Sequence, residues 1–435
     1  MNTIDRLESR VRSYCRSFPA VFATGEGCRL TDGDGKSYLD FFAGAGALNY
    51  GHNDPDLRDA LVAYITGNGV AHSLDMATQA KEEFLEEMQR TLFRPRGMDY
   101  RVMFPGPTGT NAVEAALKLA RKVTGRTEVV SFTNAFHGMT LGSLAATGNR
   151  FKRDGAGVPL THAVQFPFDG YHGRGVDTAG YLERFLKDDS SGLDRPAAVI
   201  LETIQAEGGI NTADAEWVRR IAASAERYGA LLIVDDIQVG CGRTGSFFSF
   251  EEMGVRPDLI CLSKSLSGFG LPLAVVLIRP DLDVWEPGEH NGTFRGNNHA
   301  FVTAAAALRK FWRSPEFSAE VTAKGKLVHD ALAGLAREHG LEHRGRGLIQ
   351  GLAFPEPSQA GAVSARAFEA GVIVETAGAQ DEVVKLLPPL TIDRDSLAEG
   401  LEVIGGSIRA VRGSGDGNGD GRIDDEAVAG VGAAS

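Results

Sequence analysis

Short apolar runs alternate with helical patterns through the middle of the chain, from about residue 102 to residue 277. These runs are TEVVSFTN (127–134), AAVILETI (197–204), ALLIVDDI (230–237), DLICLSK (258–264) and LAVVLIR (273–279). Brief runs rich in β-branched residues, without polar alternation, are typical of strands that are buried on both faces. Because helical patterns separate them, the sequence predicts a mostly parallel sheet covered by helices on both sides.

The two ends of the chain show different patterns. Residues 4–16 are predicted to form a helix, 29–44 a hairpin around the turn DGDG, and 56–93 helices with apolar faces. Farther on, 299–313 has a helical pattern, and 348–354 and 383–392 have strand patterns. We therefore expect a large α/β domain at 61–310 and a smaller α+β domain that combines 1–60 with 311–412.

The last residues, 413–435, are acidic and rich in glycine, which is typical of a disordered tail. They contain a partial calcium-loop pattern, with Asp416, Asn418, Asp420 and Gly421 at the first, third, fifth and sixth positions. The twelfth position, which should supply a bidentate glutamate, is Ala427. The pattern favours a solvated tail over a calcium site.

Composition excludes several classes of function. The formal net charge is −12, which argues against nucleic acid or anionic membrane as a partner. The four cysteines are scattered without metal-ligand spacing, so we expect a reducing compartment and no metal site. We see no apolar core of a secretion signal and no run of about 20 apolar residues, so the sequence predicts a cytoplasmic protein.

An acid and an amine follow two of the apolar runs. Asp235 ends LLIVD, and Lys264 follows LICLS after 264 − 235 = 29 residues, enough for a crossover between neighbouring strands. Taken singly, such residues are usually solvated or cap a turn. Together they are what an enzyme that uses pyridoxal phosphate needs, because a lysine carries the cofactor and a carboxylate keeps its ring nitrogen protonated.

Other segments agree with this hypothesis. The glycine-rich turn 106–109 opens a helix, whose free N–H groups suit a phosphate dianion. Phe136 and His137 follow a strand, and polar residues in LETIQAEGG (201–209) follow another, where burial is costly unless they have partners. Each of these features also has an ordinary structural explanation when it is taken alone, as a capped helix, a core aromatic or a loop.

In this order and spacing, five segments resemble those of the class III aminotransferases, which are fold-type I pyridoxal phosphate enzymes. The segments are PTGTNAVEAALKLAR, FHGMT, VDDIQVGCGRTG, LSKS and GTFRGNN. The resemblance covers about residues 15–410. It implies that Lys264 holds pyridoxal 5'-phosphate and that Asp235 pairs with its ring nitrogen. It also implies a set of further cofactor contacts: Gln238 at the phenolic oxygen, Phe136 and His137 at the ring, and Gly109 and Thr110 at the phosphate.

The resemblance further implies that Thr293 reaches the phosphate of a neighbouring subunit, hence at least a homodimer. It implies transfer of an amino group from L-glutamate to L-aspartate 4-semialdehyde, giving 2-oxoglutarate and L-2,4-diaminobutyrate, a step of ectoine synthesis. The alternatives are an ω-aminotransferase for 4-aminobutyrate, ornithine or β-alanine, a siderophore or diamine pathway, an aminomutase, or a non-catalytic protein. A monovalent cation is compatible with the family.

Two positions depart from the family pattern. Met139 stands where many relatives have an arginine that binds a substrate carboxylate, and Lys385 stands where many have an arginine that pairs with Glu207. Lysine lacks the planar fork of guanidinium, so an arginine switch cannot be carried over. We expect Glu207 and Lys385 to take its place, with Arg150, Arg153 and Arg295 as further candidates for binding substrate carboxylates.

Overall fold

The structure is a computed structural model that describes residues 3–413 of the 435-residue chain. The calcium-loop pattern at 416–427 and the rest of the predicted tail after Gly413 lie outside the described residues. The helices are α1 (Thr3–Leu7), α2 (Tyr14–Ser17), α3 (Ala43–Gly46), α4 (Pro55–Thr66), α5 (Gln79–Met88), α6 (Gly109–Thr124), α7 (Leu141–Ala146), α8 (Arg150–Asp154), α9 (Thr178–Lys187), α10 (Ala215–Arg227), α11 (Asn298–Phe311), α12 (Glu316–His339), α13 (Pro357–Glu369) and α14 (Arg394–Gly413).

The strands are β1 (Phe22–Glu26), β2 (Arg29–Asp32), β3 (Ser37–Asp40), β4 (Arg101–Met103), β5 (Val129–Phe132), β6 (Ala163–Phe166), β7 (Ala198–Leu201), β8 (Ile204–Gln205), β9 (Asn211–Thr212), β10 (Leu231–Asp235), β11 (Leu259–Leu262), β12 (Val275–Ile278), β13 (Glu342–Arg346), β14 (Ile349–Ala353), β15 (Val372–Ile373), β16 (Glu375–Ala377) and β17 (Val383–Leu386).

The central sheet has seven strands in the order β4-β12-β11-β10-β7-β5-β6. Strands β11, β10, β7, β5 and β6 are mutually parallel, and β12 is antiparallel to both of its neighbours. Along β10, Leu231 and Ile233 face one hydrophobic cluster while Leu232 and Val234 face another. The predicted mostly parallel sheet, buried on both faces, is therefore confirmed.

A second hydrophobic core joins the two ends of the chain. Leu39 and Phe41 pack with apolar side chains of α12, α13 and α14, and β3 pairs with β15 in parallel. Beside this core lies the four-stranded sheet β13-β14-β17-β16. Strand β17 carries Lys385 from this region toward the end of the central sheet.

The local predictions were mostly confirmed. The hairpin at 29–44 is β2 paired antiparallel with β3. The helix predicted at 4–16 is wrong in its extent, because α1 ends at Leu7 and α2 begins at Tyr14. Neither α1 nor α2 buries a side chain, and short helices without tertiary packing gain little stability.

The strand predicted at 383–392 is also shorter than expected, since β17 ends at Leu386. Pro388 and Pro389 have no N–H group to donate to a neighbouring strand.

Among residues 3–413, no helix is both long and apolar enough to cross a membrane.

Candidate active site

Asp235 and Lys264 lie at the carboxyl ends of two adjacent parallel strands. Asp235 is the last residue of β10 and pairs with Cys261 of β11, and Lys264 begins the 3₁₀ turn that follows β11. Lys264 has a φ of +50°, in the left-handed region that residues other than glycine rarely adopt. Both residues line one cavity of about 310 Å³.

The cavity gathers most of the residues that the sequence predicted for the site. These are Gly109, Thr110, Phe136, His137, Glu207, Asp235, Gln238 and Lys264. Side chains from five separate stretches of the chain meet there because the carboxyl ends of parallel strands share one edge of the sheet. They come from the end of β10 and from the segments that follow β4, β5, β8, β10 and β11, including the start of α6.

Asp235 is fixed by two neighbours. Its Oδ2 lies 2.8 Å from Nδ1 of His137, and its Oδ1 accepts a hydrogen bond of 3.2 Å from the backbone N–H of Ile237. His137 is buried, and its Nε2 has no hydrogen-bond partner among the described residues. The carboxylate is therefore held in one orientation at the floor of the cavity.

The start of α6 forms another wall of the cavity. Its first residues are Gly109 and Thr110, and the Thr110 hydroxyl lies 2.7 Å from that of Thr140 and 2.9 Å from that of Ser143. Gly138 has a φ of +129°, and a Cβ there would approach Thr110 Oγ1 to 2.4 Å, so the loop can pass this closely only with glycine. Free N–H groups and the positive end of the helix dipole make this wall a place for an anion.

Lys385 is fully buried between two carboxylates. Its Nζ lies 2.9 Å from Glu207 Oε1 and 3.0 Å from Glu375 Oε1. Burial alone would lower the pKa of the ammonium, but the two carboxylates raise it above its ordinary value. Lys385 therefore stays charged. Its ammonium contacts Glu207, which lines the cavity.

Glu207 is the member of this cluster that borders the cavity. Burial would raise its pKa, but the charges of Lys385 and Lys264 hold the pKa well below its ordinary value. Gln238 Nε2 donates to Glu207 Oε1 at 3.0 Å and to the carbonyl of Ala45 at 2.7 Å. Glu207 is thus an ionised carboxylate shared between an ammonium and an amide.

Two more ionisable groups of the cavity are shifted by burial. Burial lowers the pKa of Lys264, and the nearby charge of Lys385 adds to this effect while Glu207 opposes it. Burial raises the pKa of Glu202 well above its ordinary value, and the charge of Asp235 adds to the rise. Lys264 consequently has more of its nucleophilic neutral amine near neutral pH than a solvated lysine would have.

Several predicted residues do not line this cavity: Lys385, which is fully buried against Glu207, and Thr293, Arg150, Arg153 and Arg295. Arg295 donates to Asn291 Oδ1 at 3.1 Å. Thr293 lies in a 3₁₀ turn, and its carbonyl contacts His72. Arg150 is exposed and lies 3.7 Å from Asp154, while Arg153 donates to three backbone carbonyls at 2.8–3.1 Å. The arginine candidates for substrate binding are therefore solvated or already engaged within this chain.

Four residues that line the cavity were not predicted from the sequence: Thr108, Gly138, Ile237 and Val239. Met139 and Glu202, which are indicated by the family pattern and by the segment LETIQAEGG, line it as well. Ile237 and Val239 could have been found, since they flank Gln238 in a segment already assigned to the site. Glu375 could not, because only the register of β16 against β17 places it opposite Lys385.

The residues of the cavity fit pyridoxal phosphate. Besides His137 Nε2, Gln238 Oε1 is buried without a hydrogen-bond partner in the described part of the chain. A lysine with lowered pKa, a fixed carboxylate and a helix start surround the same space of about 310 Å³. These are the groups that an aldehyde, a pyridine nitrogen and a phosphate require.

Comparison with known proteins gives the same result. Residues 12–408 match the family described as aminotransferase class-III. The diaminobutyrate--2-oxoglutarate transaminase of Nocardia farcinica is 60% identical to the chain, over 94% of the chain and 94% of the relative. That of Streptomyces anulatus is 59% identical, over 94% of the chain and 98% of the relative. The solved structure of the ornithine aminotransferase from Toxoplasma gondii is similar with a TM-score of 0.81 at 26% identity, covering 94% of each chain.

Proposed function

Since the chain belongs to the class III aminotransferases, which use pyridoxal phosphate, we propose that it transfers the amino group of L-glutamate to L-aspartate 4-semialdehyde. The products are 2-oxoglutarate and L-2,4-diaminobutyrate. Relatives at 54–60% identity carry the name diaminobutyrate--2-oxoglutarate transaminase, and this is the observation on which the choice of substrate rests. The reaction alternates between the two substrates in one cavity, as a ping-pong transamination.

Two residues are proposed to carry out the chemistry. Bound pyridoxal phosphate supplies an electron sink for the negative charge that develops when the amino carbon loses its proton. Lys264 Nζ would hold the cofactor, and its amine, once displaced by substrate, would take up that proton and give it back, as general base and then general acid. Asp235, positioned by His137, stabilises the positive charge of the ring nitrogen.

The remaining contacts are proposed to hold and orient the cofactor. Gly109 and Thr110 bind the phosphate at the start of α6, and Gln238 reaches the phenolic oxygen. Phe136 lies against the ring. Thr293, which does not line the cavity of its own chain, would complete the phosphate site of a neighbouring subunit, so the working unit is proposed to be a homodimer or a larger oligomer.

Glu207 and Lys385 are proposed to let one cavity accept two kinds of substrate. Glutamate has a carboxylate beside the reacting amine, whereas diaminobutyrate, reacting at its terminal amine, has none there. When glutamate binds, its α-carboxylate takes a place at Lys385 that Glu207 occupies otherwise. Cavity-lining Met139 offers no charge for this purpose, which leaves Lys385 as the cation for the α-carboxylate.

Lys385→Met should impair the reaction with glutamate much more than the reaction with diaminobutyrate. Loss of a charged hydrogen-bond partner of the α-carboxylate should lower kcat/KM for glutamate by about 10- to 100-fold, since such a contact contributes about 1.5–3 kcal/mol. For diaminobutyrate we expect a change of less than about threefold. Single-turnover kinetics with each amino donor measures both values.

Lys324→Met is a matched control for this experiment. Lys324 is also a buried lysine, but its Nζ contacts Glu320 and the carbonyl of Leu390, away from the cavity. It should reduce stability without changing the ratio of the two activities. Equal slowing of both half-reactions by Lys385→Met would contradict the role proposed for Lys385.

The absorption spectrum of the purified holoenzyme tests the proposed function as a whole. L-Glutamate and 2,4-diaminobutyrate, added separately, should each convert the pyridoxal form of the bound cofactor to its pyridoxamine form, and 4-aminobutyrate should not. Conversion by 4-aminobutyrate or ornithine, and not by diaminobutyrate, would show that the enzyme is a transaminase of a different amino donor. A protein without a cofactor band after addition of pyridoxal phosphate would contradict the catalytic assignment.

Three wider expectations are kept as proposals. The large domain is 61–310, and the smaller one combines 1–60 with 311–412. The enzyme acts in the cytoplasm. The diaminobutyrate that it makes enters ectoine synthesis, and neighbouring genes for acetylation and cyclisation of this product would support that assignment.

A further inference from the structure

Lys385 contacts a second carboxylate, that of Glu375. The proposed exchange of Glu207 for the α-carboxylate of glutamate at Lys385 does not require it. Glu375 and Lys385 are directly opposed in the antiparallel pair β16–β17, with 3.0 Å between Oε1 and Nζ. Glu207 approaches the same ammonium from the cavity side at 2.9 Å. One buried ammonium is therefore placed between two carboxylates, of which only Glu207 borders the cavity.

The charge of this cluster depends on whether Glu375 is ionised. Burial raises the pKa of Glu375 to about 7; Lys385 opposes this rise, while Glu207 adds to it. Glu207, by contrast, stays ionised, because Lys385 and Lys264 stabilise its charge. With Glu375 protonated, Lys385 and Glu207 cancel, and with Glu375 ionised, the cluster carries one net negative charge.

Among the described residues, few other charges face Glu375. Lys264 acts on it from the end of β11, and Tyr14, in α2, lies within electrostatic range of Glu375 and Glu207. Helix α13 also packs against β16, but its buried residues are Ala360, Val363, Ser364 and Ala367, which do not ionise. The protonation of Glu375 is thus coupled mainly to the charges of Lys385 and Glu207, and to any anion that binds at Lys385.

We propose that Glu375 controls how strongly the site binds a substrate carboxylate at Lys385, and so sets the preference between the two amino donors. This inference rests on the proposed function. When Glu375 is protonated, it adds no negative charge at Lys385, and the α-carboxylate of glutamate can take the place that Glu207 occupies otherwise. When Glu375 is ionised, a third carboxylate meets a negative cluster and binds less well. Diaminobutyrate, which brings no carboxylate to this place, does not sense the difference.

Glu375→Gln tests this role through the pH dependence of glutamate binding. In the wild-type holoenzyme, KM for glutamate should rise about tenfold between about pH 6 and pH 8.5, because a pKa shift of one unit on binding corresponds to a tenfold change in affinity. In Glu375→Gln the rise should be absent, because the amide does not ionise. Taking the ratio of the two enzymes at each pH removes the titration of the substrate itself.

Two further variants separate this role from a structural one. Glu375→Asp keeps a titratable carboxylate and should retain a pH-dependent KM, even where the shorter side chain lowers stability. Glu382→Gln removes a carboxylate next to β17 whose Oε2 accepts from the backbone of Gln380, and should leave the profile unchanged. For diaminobutyrate, the wild-type to Glu375→Gln ratio of KM should be flat with pH.

The outcomes are distinct from those that test the proposed function. A protein that converts neither glutamate nor diaminobutyrate fails as a transaminase of these substrates. If the protein converts both amino donors but Glu375→Gln keeps the wild-type pH dependence of KM for glutamate, only the proposed role of Glu375 is contradicted. If Glu375→Gln does not fold, a pH-independent KM for glutamate in both the wild type and Glu375→Asp overturns it equally.

Discussion

Lys264→Ala is expected to abolish transamination and to remove the covalent attachment of the cofactor. The methyl side chain can neither hold pyridoxal phosphate nor move a proton, and proton transfer by a positioned side chain alone contributes about 10²–10⁴-fold. We therefore expect a loss of at least about 10⁴-fold in turnover. Borohydride reduction followed by peptide mass spectrometry should place the cofactor on Lys264 in the wild type and on no lysine in the variant.

Lys152→Ala is the matched control for this result. Lys152 Nζ lies 4.3 Å from the centre of the Phe136 ring but does not line the cavity. Its loss should leave the reduced cofactor on Lys264 and the turnover within a few-fold of the wild type. A cofactor adduct found on Lys152, or undiminished turnover in Lys264→Ala, would contradict the assignment of Lys264.

Asp235→Asn is expected to lower kcat by about 10²–10³-fold, the usual cost of removing one preorganised electrostatic contact from an active site. The amide has the same shape but no charge to keep the ring nitrogen protonated. The hydrogen bond of 2.8 Å to His137 would also need a different arrangement of protons. Stopped-flow kinetics of the glutamate half-reaction gives the rate, and titration of the apoenzyme with pyridoxal phosphate gives the cofactor affinity.

The adjacent residue offers a close control, because Asp236→Asn removes a neighbouring buried carboxylate. Asp236 accepts a hydrogen bond of 3.0 Å from the backbone N–H of Ser249 and does not line the cavity. Burial raises its pKa to about 7, so an amide resembles the form that it largely has below that pH. We expect nearly unchanged turnover in Asp236→Asn, and equal losses in both variants would contradict the role of Asp235.

The pKa of Asp236 also has a consequence for stability. Its pKa is raised in the folded state above the unfolded value, so the folded protein binds the proton more tightly. The contribution of this group to stability is therefore present at low pH and lost as the pH rises toward about 7. The same direction applies to Glu375.

The sequence predicted those parts of the site that depend on chain segments with strong local patterns. Asp235 and Lys264 each follow a buried apolar run, and neighbouring parallel strands must bring the ends of such runs together. Gly109 could be placed for a similar reason, since a glycine-rich turn before a helix marks its free N–H groups. For these residues local chemistry and topology point to the same position.

What the sequence could not predict depends on register and on distant packing. Glu375 lies in a three-residue strand, and nothing near it in the chain shows that it faces Lys385. Residues 4–16 have a helical pattern, but the pattern does not show whether any surface lies against it, and in the structure neither α1 nor α2 buries a side chain. The engagement of Arg153 by three carbonyls likewise follows from the fold of its loop rather than from its spacing.

The pairing of β3 with β15 affects the order in which a new chain can fold during translation. Leu39 pairs with Val372, and 372 − 39 = 333 residues separate them. At about 5–20 residues per second, the ribosome needs about 17–67 s to make this stretch. During that time Leu39 and Phe41 lack the apolar partners with which they pack in the finished protein. Lys385 is made later still, so a nascent chain acquires Lys264, the lysine proposed to hold the cofactor, well before the lysine proposed to receive the substrate carboxylate.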